Sequence, residues 1–163
     1  MDKFVLAFLL IILIAGSAFA AAPTVKTGQG MLGAGIFDGS PSLSFAVGND
    51  MNLWLGANYA STSTAGAVGQ VSGLIGVEKT FSKLGVVNSN MGIAVMYINN
   101  VGNASGVTNL TADLLWSFVA PITNNLNAGV DFRLLRYNSF AAAGATTTSF
   151  NLLGGAVRAQ VVF

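Results

Sequence analysis

Apolar and polar residues alternate with a period of two along much of this chain, a spacing that only an extended strand turns into two chemically distinct faces. In residues 127–134, Ala128, Val130, Phe132 and Leu134 oppose Asn127, Gly129, Asp131 and Arg133. In 52–59, Leu53, Leu55, Ala57 and Tyr59 share one side, and in 42–47 Leu43, Phe45 and Val47 do. Turn-forming residues divide the chain into eight candidate strands, at about 28–37, 42–48, 51–60, 69–81, 90–98, 108–120, 126–138 and 149–163. No apolar run after residue 21 is long enough for a spanning helix. Connections at 48–50 and 122–125 read as tight, with Asn and Asp that tolerate positive φ. Those at 61–68, 99–107 and 139–148 read as longer loops, with 38–41 a short exception at their end and 82–89 a long exception at the other. Eight strands joined in this manner predict an all-β, antiparallel up-and-down barrel.

Charge decides which side of the wall is apolar. Only 8% of the residues are charged, about a third of the share in an ordinary soluble domain. The charged residues of the strands, Glu78, Asp113, Asp131, Arg133 and Arg158, fall on the small, polar parity. They predict a charge network inside the lumen, because buried charges must be paired. The opposite parity lacks charges through its middle, as lipid requires. A transmembrane barrel follows from this pattern; a soluble periplasmic binding barrel, with its apolar face inward, is the less favoured arrangement. Trp54, Leu74 and Met96 have the wrong parity for a purely polar interior, so either the lumen is partly apolar or bulges shift the register there.

The N-terminus carries an address. Met1-Asp2-Lys3, an apolar stretch over 4–15 and the small-x-small site Ala18-Phe19-Ala20 predict a signal peptide at 1–20. Cleavage after Ala20 leaves one barrel domain at 21–163, with 11 charged residues. Aromatic residues mark both strand ends. Tyr59, Tyr97 and Tyr137, spaced 38 and 40 residues apart, fall at the outer ends, and Phe81, Phe118 and Phe163 at the inner ends. Such rows form the interface girdles of membrane barrels, although Tyr137 has interior parity in its strand.

The last strand is the most specific segment. Val157, Ala159, Val161 and Phe163 alternate along Val157-Arg-Ala-Gln-Val-Val-Phe163, which ends on an aromatic ring. Here the sequence resembles small outer-membrane β-barrel proteins, the OmpX-like and OmpA transmembrane-domain barrels. The resemblance covers the whole mature chain as architecture and residues 157–163 as motif. It implies an outer-membrane location, a monomer, contact with outer-membrane lipid and lipopolysaccharide, and recognition of Val157, Ala159, Val161 and Phe163 by the barrel-assembly machinery. A structural or surface-interaction role follows, with a narrow channel for small solutes as the alternative.

Candidate chemistry is sparse. The chain has no His and no Cys, which removes Ser-His and Cys-His catalysis, thiolate metal sites and disulfides. No catalytic, cofactor or metal site is expected, and the near-neutral charge argues against nucleic acid. Gly28-Gln-Gly30 and Gly33-Ala-Gly35 are not phosphate loops, since no Lys-Ser/Thr follows. Arg136, with Lys79 and Lys83, lies near a strand end, where it either meets lipopolysaccharide phosphates or extends along the interface.

Overall fold

The structure, a computed structural model, describes residues 32–47, 50–61, 68–102 and 106–163. The expected signal peptide at 1–20, the start of the first expected strand, most of the expected turn at 48–50 and parts of the expected loops at 61–68 and 99–107 lie outside the described residues. Eight antiparallel strands close into a ring in sequence order: β1 (Leu32–Phe37), β2 (Ser40–Ala46), β3 (Met51–Ser61), β4 (Val68–Leu84), β5 (Val87–Gly102), β6 (Thr108–Pro121), β7 (Leu126–Ala142) and β8 (Ala145–Val162). Closure comes from β1 pairing β8, Gly33 opposite Val162 through Ile36 opposite Ala159. The ring therefore leaves no free sheet edge at its base.

The strands outgrow their expected bounds because three turns are tighter than expected. Asp38-Gly39 and Ala143-Gly144 each join strands by two residues of positive φ, 48° and 79° in the first and 49° and 79° in the second. Both turns have the backbone twist that matches paired strands. The expected loop at 139–148 is thus strand on both sides of a hairpin. The expected long connection at 82–89 is also a hairpin, with Gly85 at φ 64° and Leu84 paired to Val87.

Two irregularities reset the alternation. β4 bulges at Phe81, between Thr80 and Ser82. β7 carries an extra residue at Leu134, so Leu114 pairs Leu135 while Leu115 pairs Arg133. In β8, Leu153 opposite this bulge takes φ 57°. Inward positions therefore run Asn127, Gly129, Asp131 and Arg133 before the bulge, and Arg136 and Asn138 after it. Tyr137 consequently lies on the outer face, packed against Phe150 at 5.3 Å between ring centroids. Its apparent interior parity is an effect of the bulge.

The outer face presents Leu43, Leu55, Ile75, Val77, Ile93, Leu114, Leu135, Val157 and Val161, all exposed. Inside, Phe37, Trp54, Leu74, Ala94 and Leu115 make a small apolar core, with Met96 against it. The lumen is therefore partly apolar, which accounts for Trp54, Leu74 and Met96 at interior positions without any bulge. Phe37 and Trp54 stack at 4.9 Å with their planes 5° apart. Gly76 makes this possible, because a β-carbon there would overlap the Phe37 ring.

Candidate functional site: the charged lumen

Two charge clusters cross the lumen, one above the other. In the lower one, nearer Leu32 and Phe163, Arg158 on β8 is fully buried. Its Nη1 donates to both carboxylate oxygens of Glu78, at 2.8 and 2.7 Å. Its Nε donates to Asp131 Oδ1 at 2.9 Å and its Nη2 to Ser117 Oγ at 3.1 Å. The guanidinium also lies 4.8 Å from the Phe37 ring centroid and 5.3 Å from that of Trp54. One cation thus ties β8 to β4, β6 and β7 and rests on aromatic faces from β1 and β3. Glu78 accepts further hydrogen bonds from Trp54 Nε1 at 2.9 Å, Asn90 Nδ2 at 3.3 Å and Asn52 Nδ2 at 3.4 Å. Full pairing offsets the cost of burying these charged side chains inside the barrel.

The upper cluster holds Asp38, Asp113, Arg133 and Arg136. Arg133 Nε donates to Asp38 Oδ1 and its Nη2 to the Asp38 carbonyl at 3.1 Å. Arg136 grips Asp113 with two parallel hydrogen bonds, Nε to Oδ1 at 2.7 Å and Nη2 to Oδ2. Cross contacts at 3.6 Å join Arg133 to Asp113 and Arg136 to Asp38. The two clusters meet where the Asp38 backbone N–H donates to Asp131 Oδ2 at 3.0 Å.

Glu78, Asp113, Asp131, Arg133 and Arg158 all lie in this interior, sorted into two groups: Arg158 holds Glu78 and Asp131, while Arg133 holds Asp38 and approaches Asp113. Two members escaped sequence reading. Asp38 sits in a turn, where strand parity gives no signal. Arg136, read as an interfacial cation, is turned inward by the Leu134 bulge and bound to Asp113. The other described basic residues, Lys79 and Lys83, are exposed, with Lys83 3.8 Å from Asp50 at the surface.

The aromatic positions separate by level. Tyr59 and Tyr97 are exposed on the outer face toward the upper end, and Phe81 and Phe163 toward the lower. Phe118 is half-buried in a continuous row, with Trp116 at 5.0 Å and Phe132 at 6.0 Å; Phe81 stands 6.5 Å from Trp116. The Trp116 indole N–H donates to Ser89 Oγ at 2.9 Å, so that ring has no unpaired donor on the outer face. At the C-terminus Val157 and Val161 point outward, Ala159 is half-buried, and the Phe163 N–H donates to the Leu32 carbonyl at 2.9 Å.

Below Arg158, Ser44, Asn88, Asn90, Asn127 and Gln160 line a small polar chamber of about 30 Å³, room for one water. The fold and site define a closed antiparallel barrel with an apolar exterior and a lumen plugged by ion pairs. Compared with known proteins, the chain matches no family model, no curated protein and no solved structure.

Proposed function

We propose that the protein is a small integral outer-membrane β-barrel with a structural or surface-interaction role and a lumen closed by its own side chains. The observation that carries this reading is the polarity of the wall. The charged side chains of β6, β7 and β8 are inside, while Leu, Ile and Val residues of every strand from β2 to β8 stand exposed outside. In water that surface would be an aggregation hazard; against hydrocarbon it is the stable arrangement. The aromatic row near the lower end and the tyrosines toward the upper end fit two interfaces. The same polarity supports the resemblance to OmpX-like and OmpA-type barrels. The Arg158 cluster supports a plug and opposes a channel, since a solute would have to part Glu78, Asp131 and Arg158. Outer-membrane lipid and lipopolysaccharide are then the permanent neighbours, and the assembly machinery is a transient one. Membrane fractionation, followed by SDS gels with and without boiling, tests the proposal. A band in the outer-membrane fraction whose mobility changes on boiling is expected; recovery in the soluble periplasmic fraction overturns it.

A further inference from the structure

The wall of the barrel is not of even height. β1 and β2 have six and seven residues, against 17 and 18 for β7 and β8. β8 bonds β1 only over Ala159–Val162, so its stretch 145–158 has β7 on one edge and no strand among the described residues on the other. β3 pairs β2 from Asn52 to Leu55, and above that it pairs only β4. Above the Asp38-Gly39 turn the wall formed by the described residues is thus short by two strands, a gap of roughly 14 Å at ordinary strand spacing. Asn58 and Asn151, inward-facing residues flanking it, are exposed for this reason.

The upper cluster lies on the sill of this gap. Its carboxylates are sealed, with Asp38 and Asp113 side chains 1% exposed, while Arg133 and Arg136 are 20% and 26% exposed. Each arginine spends Nε and Nη2 on an aspartate. Neither Nη1 has a partner among the described residues. Glycine uncovers the Arg133 head: a β-carbon on Gly39 would lie 3.6 Å from its Nη2, and one on Gly154 would lie 4.0 Å from its Nη1. The cluster is neutral in sum, yet the face it turns to the gap is donor only. Beside it, the β8 lip holds the most exposed large apolar side chains among the described residues. Leu153, Val157, Leu152 and Phe150 are 83%, 74%, 73% and 67% exposed, and the left-handed turn of Leu153 sets two leucines in succession outward.

We infer that this gap is a lateral binding site for a single-chain anionic amphiphile. Its carboxylate or phosphate head accepts hydrogen bonds from the Nη1 groups of Arg133 and Arg136, and its hydrocarbon chain leaves through the gap along Phe150, Leu152 and Leu153. Guanidinium donors suit either head group. The inference rests on the outer-membrane reading, which supplies the hydrocarbon outside the wall.

The test uses the full mature protein in phospholipid nanodiscs and dodecanoate carrying a terminal diazirine. After photolysis, mass spectrometry is expected to place the label mainly on residues 150–157. Excess dodecanoate or dodecyl phosphate should compete, and dodecyltrimethylammonium should not. Competition by only one of the two anions assigns the head group to a free fatty acid or to a phosphate ester. Arg133→Gln should lower labelling about tenfold, the loss of one charge-assisted hydrogen bond. Because that change also breaks the Asp38 pair, Gly154→Val is the second variant. A β-carbon there meets Arg133 only at ordinary contact distances, and the branched side chain is expected to cover the head-binding edge while sparing the ion pairs, so this variant should abolish labelling while heat-modified mobility is unchanged. Label spread evenly to Ile75 and Ile93 on the far wall, equal competition by the cation, or full labelling of Gly154→Val overturns the site. Failure of the protein to enter nanodiscs overturns the outer-membrane reading, and this inference with it.

Discussion

Replacing Arg158 by leucine removes the one cation of the lower cluster and leaves two carboxylates in a sealed lumen. Arg158, Glu78 and Asp131 are 1%, 3% and 0% exposed. Breaking a buried pair by deleting one partner costs about 3–5 kcal/mol, because the remaining charge is uncompensated. Two features bound the figure here. The loss strands two carboxylates, which raises it. Glu78 keeps donors from Trp54, Asn90 and Asn52, and Asp131 keeps the Asp38 N–H, which lowers it. Leucine also retains apolar contact with Phe37 and Trp54. We expect destabilisation of about 4 kcal/mol for Arg158→Leu. For Arg158→Lys we expect about 2 kcal/mol, since a point charge cannot hold two carboxylates in one planar fork. Combining Arg158→Leu with Glu78→Gln should recover about 1–2 kcal/mol, the part owed to one stranded charge. The assay is reversible urea unfolding in detergent micelles, followed by tryptophan fluorescence, with Trp54 beside the mutated site. A change below about 1 kcal/mol for Arg158→Leu, as for a surface ion pair, would refute the sealed plug.

Other consequences can be measured independently. Gly76→Ala should cost about 1–3 kcal/mol in the same assay, since its methyl group must displace the Phe37 ring from Trp54; an unchanged midpoint would mean that the stack yields freely. Mass spectrometry of the membrane-isolated protein should find Ala21 at the N-terminus, and an intact Met1 would show that the leader is retained. Deleting Phe163 should cause periplasmic accumulation and loss of the heat-modifiable band in cells, while the purified variant still folds into detergent. Normal assembly of that deletion would reduce Phe163 to an interfacial side chain.

Much of the fold was legible because a barrel strand needs only alternation and a turn, both local properties. Each of the eight expected strands overlaps one in the ring, several of them running beyond the expected bounds, and Asp131 and Arg158 stand inside as their parity requires. What escaped came from single residues that interrupt the period. The Leu134 bulge leaves no mark in composition, yet it turns Arg136 inward and Tyr137 outward. Ala143-Gly144 forms a two-residue turn inside a run of Ala, Gly and Thr that reads equally well as loop. Asp38 has a positive-φ turn position and a buried carboxylate at once, and only the closed ring brings it to Arg133, 95 residues away. The gap above that turn is likewise invisible without pairing, because short strands look the same whether or not their neighbours outgrow them.

The central claim is that the outer wall faces hydrocarbon and the lumen does not. Spin labels at single cysteines replacing Leu55, Val95, Leu114 and Phe132 on the outer parity, and Ala94 and Thr111 on the inner one, test it most directly in reconstituted bilayers. The account predicts strong broadening by oxygen and little by a water-soluble nickel chelate at the four outer sites, and weak broadening by both at Ala94 and Thr111. Outer sites more accessible to the chelate than to oxygen would contradict it, leaving a barrel whose apolar exterior stands in water.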